Sequence, residues 1–352
     1  MSKLPSPPKS LLARRALTGT VAAAGTAAFH VLGGPLPLLV GPMAACLVAA
    51  LGHAPLAGMG ILAVAMRTVL GVAVGASVTP ELVGDMPKMA ASLAFIPLFI
   101  LVIGAIGYPI FRFGFGFNHP TAYYSAMPGG LQDMLIFGEE AGGNVRVMSL
   151  IHATRVLVLV AIAPVIMSGV WGVDLTQPPG QMASEISRGE IFLMVASGLV
   201  GWKLAERAGM FGATILGPLI LTAALSLSGF IDHRPPAEFI WAAQFFIGIS
   251  VGAKYAGVTM RELRIDVAAG LIYSIARAVV SLAFFLFISQ AGIAPRLEAF
   301  LAFLPGGQGE MVIIAIIAGA DLAYVVSHHL LRLVLVILFA PVVELLLKKR
   351  FR

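Results

Sequence analysis

The chain has 352 residues, of which 59% are hydrophobic and only 11% charged, with a formal net charge of +6. A soluble domain carries roughly 25% charged residues, so the composition excludes a soluble fold and implies an integral membrane protein. Basic residues gather at the ends of apolar runs and at the termini, which is a topology signal rather than a nucleic-acid stripe. The lone cysteine, Cys46, excludes a disulfide framework and a thiolate metal site.

A bilayer core about 30 Å thick takes about 20 helical residues. Runs of this kind predict helices near 16–33, 35–52, 56–79, 88–111 and 145–169, then near 190–208, 212–229, 237–257, 267–290 and 322–346. The first follows Lys9, Arg14 and Arg15 and has the shape of a signal peptide. Because further spans follow at once, it reads as a first anchor, with the tandem arginine as a positive-inside flank. Gly41-Pro42 and Gly217-Pro218 are expected to kink their helices. Gly71/Gly75 and Gly248/Gly252 form GxxxG patterns, which favour close helix packing.

Two interrupted segments, about 120–142 and 297–320, precede the last span of each half. Met127-Pro128-Gly129-Gly130-Leu131-Gln132-Asp133-Met134 is matched by Leu304-Pro305-Gly306-Gly307-Gln308-Gly309-Glu310-Met311, with Pro128, Asp133 and Met134 each 177 residues before its counterpart. His152 and Arg155 map to His329 and Arg332 in the same register, Asn144 to Asp321, and Ala163-Pro164 to Ala340-Pro341. An internal repeat of this length decides the architecture. The expected organisation is a first membrane repeat over 1–170, a linker over 171–189 containing Gln177-Pro178-Pro179-Gly180, and a second membrane repeat over 190–352.

Loop charge orients the spans. If each Pro-Gly-Gly segment enters and leaves on one face, Arg112, Lys203, Arg207, Lys254, Arg261, Arg264 and the basic tail fall on the side of the basic N-terminus. Asp174, Glu185 and Glu190 then fall on the other side. Five spans per half is an odd number, so the second half inserts upside down. The expected fold is an all-α polytopic membrane protein of about ten transmembrane helices, built as two inverted five-helix repeats with a broken or re-entrant segment in each. Both termini are expected to be cytoplasmic, in a bacterial inner membrane.

A helix broken at membrane depth leaves backbone N–H and C=O groups unpaired, which is tolerated only inside protein or beside a wet cavity. The helix restarting after each break could hold an anion at its free N–H groups. Gln132, Asp133, Gln308 and Glu310 lie in those first turns, after Gly129, Gly130, Gly306 and Gly307. Ordinary capping by an acid is the plainer reading of Asp133 and Glu310. Arg155 and Arg332 lie deep in apolar runs and need partners. Each His-x-x-Arg pair shares a helix face, and Asn144 and Asp321, eleven residues upstream of the arginines, fall on it too. The expectation is that these faces turn toward Asp133 and Glu310; the alternative is that the arginines only brace the broken helix. No metal site is expected, because neighbouring His328 and His329 cannot both face one ion from a helix. Arg67, whose counterpart is Gln244, is assigned to a cavity as a gate, with an interfacial snorkel as the other reading, and Tyr123 and Tyr124 to either a pocket or an interfacial belt.

The duplicated Pro-Gly-Gly-x-x-[Asp/Glu]-Met, the downstream His-x-x-Arg and the repeated Gly-Pro together resemble the AbrB membrane family, over nearly the whole chain. That resemblance implies a fold similar to the cation/proton antiporter and anion transporter superfamily. It carries labels of transcriptional regulator and ammonia monooxygenase, and it supplies no established catalytic residues. Seven scattered histidines, one cysteine and no dinucleotide fingerprint offer an oxygenase no site, so no enzyme activity and no cofactor are expected. A regulator acting on DNA would need a soluble basic module, and the sequence has none. The expected function is a secondary transporter working by alternating access, with a proton or sodium coupled at Asp133 and Glu310. A non-transporting membrane scaffold or sensor is the other reading. The expected partners are the lipid bilayer, a small solute or ion, and a second copy in a homodimer, with no nucleic acid. The sign of the solute stays open: helix N-termini and arginines favour an anion, and the acids favour a cation.

Overall fold

The computed structural model describes residues 10–80, 89–210 and 212–350. Lys3, Lys9, Glu81, Asp85, Lys88 and Arg352 lie outside the described residues, as do the side chains of Gln132, Gln308, Lys348, Lys349 and Arg350. Every regular element described is a helix. The first half holds α1 (Leu11–Val31), α2 (Pro37–Leu51), α3 (Ile61–Gly75), α4 (Met89–Gly114), α5 (His119–Ala126), α6 (Leu131–Glu140) and α7 (Val145–Trp171). The second holds α8 (Arg188–Arg207), α9 (Ala213–Leu227), α10 (Ala237–Gly252), α11 (Met260–Gln290), α12 (Arg296–Phe303), α13 (Gln308–Ile317) and α14 (Leu322–Arg350).

The two sets correspond one to one, down to their terminal chemistry. Ser10 caps α1 by accepting from the Ala13 N–H at 3.2 Å, and Ser187 caps α8 by accepting from the Glu190 N–H at 3.2 Å. The turns after α6 and α13 each need a left-handed residue, supplied by Gly142 (φ 88°) and Gly319 (φ 66°). Between α7 and α8 the chain is irregular, and there hydrogen bonds from Thr176 and Gln177 hold the Asp174 carboxyl below its ordinary value.

Among the described residues four helices, α4, α7, α11 and α14, are long and apolar enough to cross a membrane. Against ten full-length spans, α2, α3 and α9 are shorter than expected at 15 residues each, or about 22 Å of helix. The third span, expected from residue 56, starts only at Ile61, because residues 54–59 form no regular structure. Arg14 and Arg15 account for that: Arg14 donates to the Pro55 and Leu56 carbonyls at 3.2 and 2.7 Å, and Arg15 to the Gly58 carbonyl at 3.1 Å. The tandem arginine thus satisfies a stretch of backbone that has no helix of its own. The equivalent irregular stretch in the second half is held with the opposite polarity, by Glu190 accepting from the Asp232 and His233 N–H groups at 2.8 and 2.7 Å.

The helices sort into two bundles, each drawn from both halves. α1, α2, α3, α8, α9 and α10 pack into one, and α4 to α7 with α11 to α14 into the other. Glycine contacts tie the first bundle together across the halves. A Cβ on Gly71 or Gly75 of α3 would strike the Ile215 or Leu219 carbonyl of α9; one on Gly248 or Gly252 of α10 would strike the Leu39 or Met43 carbonyl of α2. Both GxxxG patterns therefore serve close approach of backbones, and the contact of α3 with α9 is matched by that of α10 with α2.

Gly71→Val is expected to push Cβ into the Ile215 carbonyl and cost about 1–3 kcal/mol through overpacking. Thermal unfolding of the purified protein in detergent should show it, while Gly169→Ala, which opens onto free space on α7, leaves the melting temperature within error.

Candidate functional site

The breaks are built alike. α5 ends at Ala126 and α6 starts at Leu131; α12 ends at Phe303 and α13 starts at Gln308. The residue before each restart is extended, Gly130 at φ −63°, ψ 141° and Gly307 at φ −72°, ψ 145°. What requires glycine is space. A Cβ on Gly129 would lie 2.8 Å from the Met134 methyl, and one on Gly306 2.6 Å from the Met311 methyl. A Cβ on Gly130 would overlap the Asp133 carboxylate, and one on Gly307 the Glu310 carboxylate. The methionine thus folds over the first glycine and the acid over the second, which explains the spacing of the repeated phrase. Each acid sits on the positive end of its own helix, where a negative charge is stabilised.

The carbonyls exposed by the breaks are met from α7 and α14. Nε2 of His152 donates to the Tyr124 carbonyl at 3.1 Å, and Nε2 of His329 to the Leu301 carbonyl at 3.0 Å. Arg155 donates from Nη1 and Nη2 to the Gly129 carbonyl at 3.5 and 3.4 Å, and Arg332 from Nη2 to the Gly306 carbonyl at 3.4 Å. Because Nε2 of His152 carries the proton, its Nδ1 accepts from Arg155 at 3.3 Å. The expected pairing of these arginines with Asp133 and Glu310 is not what forms: among the described residues neither acid makes an ion pair. The acids are turned back onto their own helix starts, which leaves the guanidinium groups to the nearer carbonyls.

Between the two bundles lies a cavity of about 200 Å³. One wall is the two breaks with the faces of α7 and α14: Gly129, Gly130, Asp133, Arg155, Gly306, Gly307, Glu310, His329 and Arg332. The other is the first bundle: Arg67 on α3, Thr214 and Ile215 on α9, Ile247, Ser250 and Val251 on α10, and Lys254 in the turn after it. Four cations and two acids therefore face one small space.

Other residues singled out in the sequence lie elsewhere. Asn144 and Asp321 are exposed N-caps, accepting from the Val147 N–H at 3.2 Å and from the Ala323 and Tyr324 N–H groups at 3.0 Å, and they do not line the cavity. Their distance of eleven residues from the arginines keeps them on one helix face but about 16 Å away along it. His152 is fully buried behind the cavity wall. Gln132 and Gln308 contribute helix backbone at the two restarts. Tyr123 and Tyr124 are 3% and 2% exposed and belong to the core, Tyr123 donating to the Ala340 carbonyl at 2.9 Å. Two cations escaped the sequence reading. Lys254 was assigned to loop charge, and Arg277 has no charged counterpart, since Ile100 occupies its place in the first half. A charge inside the apolar run of α11 was the available signal.

Replacing His152 or His329 with Leu should strand a buried carbonyl and cost about 1–3 kcal/mol, read by thermal unfolding. Gln, whose amide can donate, should recover part of that loss.

A model of the family described as "Transition state regulatory protein AbrB" matches residues 38–348. The chain is 23% identical over 331 residues to "Putative regulator AbrB" of Escherichia coli (strain K12), covering 88% of this chain and 89% of that protein. It is 25% identical over 264 residues to "Uncharacterized protein YhjN" of Bacillus subtilis (strain 168), covering 69% and 67%. A match over most of the sequence, joined to the all-helical fold with its apolar spans, makes this chain a member of the AbrB family of membrane proteins.

Proposed function

We propose that this protein is a secondary transporter that moves a small solute by alternating access. The observation that carries the proposal is the position of the cavity. It lies between two bundles that each contain helices of both halves, and two interrupted helices end in its wall. Rocking one bundle against the other would expose such a cavity to each side of the membrane in turn. The glycine contacts within the first bundle suit a body that moves as a unit, and the bonds from His152, Arg155, His329 and Arg332 hold both breaks to the second.

Asp133 and Glu310 are assigned the coupling role. Both are acids at the cavity wall with no ion-pair partner among the described residues, able to take up a proton or sodium as the solute binds. The two halves are assigned opposite insertion in a bacterial inner membrane, with both termini cytoplasmic, on the distribution of loop charge. The relative named as a regulator suggests a second use of the same site, as a sensor that binds the solute and passes no flux.

Reconstituted into proteoliposomes, the wild-type protein is expected to accumulate solute against a gradient only when a proton or sodium gradient is imposed. Asp133→Asn and Glu310→Gln should each uncouple or abolish that uptake. Full coupled activity in both variants would remove the acids from the mechanism, and binding without flux would favour the sensor. In a Cys46→Ala background, single cysteines at Pro178 and Arg261 are expected to react with an impermeant maleimide from opposite faces. Labelling of both from one face would overturn the inverted arrangement.

A further inference from the structure

Three arginines from three helices are buried together: Arg155 on α7, Arg277 on α11 and Arg332 on α14 are 3%, 1% and 5% exposed. Arg277 acts electrostatically on both of the others, and Glu310 opposes that repulsion at Arg155 without forming an ion pair among the described residues. Six of their nine side-chain nitrogens lack a hydrogen-bond partner: Nε of Arg155, all three of Arg277, and Nε and Nη1 of Arg332. Nδ1 of His329 is also unpartnered. Burying one guanidinium without its bonds costs several kcal/mol, and among the described residues Arg277 has the Tyr273 ring, 5.3 Å from its carbon, to offset that. Native proteins satisfy nearly all such groups.

The cavity beside these arginines has the same sign. Arg155 and Arg332 line it from one side and Arg67 and Lys254 from the other. The starts of α6 and α13 also face it, each with its own acid folded over the glycine before it. Asp133 and Glu310 do not reverse this, because two acids there face four cations. From the sequence, arginines and acids gave opposite indications for the solute. Their placement in the fold breaks that tie.

Resting on the same cavity as the transport reading, we infer that the substrate class is a small organic carboxylate. It would be held by Arg155 and Arg332 against the two helix starts and closed off by Arg67 and Lys254, with Arg277 as a positioning residue that keeps the site positive. A guanidinium fork matches the two oxygens of a carboxylate. Ile215, Ile247, Val251 and Val156 supply apolar wall for a short carbon chain. The 200 Å³ of space equals the share of about seven waters and is below the roughly 300–1,000 Å³ of drug-sized pockets.

Binding is measured apart from flux, by thermal shift and calorimetry of the purified protein in detergent. Sodium salts of acetate, lactate, succinate and citrate are compared with chloride and sulfate at constant sodium. In a second arm, sodium is exchanged for N-methylglucamine at constant chloride. At least one carboxylate is expected to stabilise the wild type saturably, more than chloride or sulfate at the same sodium concentration; a response to the cation exchange reports on the coupling acids and does not replace it. Lys254→Gln, partly exposed and outside the core, should weaken that carboxylate about tenfold without lowering the ligand-free melting temperature. Arg332→Gln should abolish binding, and Arg277→Gln should weaken it although Arg277 does not line the cavity. Stabilisation by sodium with none by any carboxylate, equal response to all anions, or unchanged affinity in Lys254→Gln and Arg277→Gln would each overturn the assignment. Carboxylate binding without flux would sink the transport reading and leave this site standing. Flux of a solute with no anion response would do the reverse.

Discussion

Everything near the centre of this protein follows from two stretches of backbone that cannot form helix where they lie. Pro-Gly-Gly interrupts the chain within a membrane bundle, where an unpaired carbonyl costs several kcal/mol. The remedy is the same twice: a histidine and an arginine one helical turn apart reach from the next long helix to carbonyls of the broken segment. Those carbonyls, of Tyr124 and Gly129 and of Leu301 and Gly306, stand in equivalent positions. The basic groups required for that repair also give the cavity its charge. Structural satisfaction and solute recognition are therefore assigned to the same side chains, and a guanidinium bonded to one carbonyl keeps nitrogens free for something else.

The glycines divide their work between the two bundles. In the bundle of α1 to α3 and α8 to α10 they let backbones touch, carbonyl against Cα, which stiffens the bundle without polar bonds. At the breaks they make room for a methionine and a carboxylate that fold back over the chain. The repeat preserves both uses. It does not preserve charge: Arg67 faces Gln244 across the symmetry, Lys254 faces Ser77, and Arg277 faces Ile100. A repeated scaffold thus carries a lopsided set of cations, with Arg67 and Lys254 lining the cavity and Arg277 buried outside its lining.

Much of this was legible in order along the chain. The 177-residue register of Pro-Gly-Gly, His-x-x-Arg and GxxxG anticipated the helix correspondence, because each motif answers a local demand of the backbone that recurs wherever the same break or close approach recurs. Residues at the breaks and on the α7 and α14 faces were assigned to one site, and Arg155, Arg332, Asp133 and Glu310 share a cavity with Arg67. Asn144 and Asp321 were placed with them on helical periodicity alone. Periodicity fixes a face but not a depth, and both lie about three turns away, capping helix ends. Lys254 and Arg277 were passed over because a repeat-based reading weights what occurs twice.

By itself, the sequence determined that the chain is helical and membrane-embedded, that it is doubled, and that each half contains one break needing partners. Those conclusions depend on composition, periodicity and the chemistry of proline and glycine, which act within a few residues. Tertiary structure alone decided which carbonyls the arginines meet, that the acids cap their own helices rather than pair with them, and that cations from three distant segments converge. Such choices rest on distances between helices far apart in the chain, where a side chain bonds the nearest unsatisfied group rather than the most oppositely charged one.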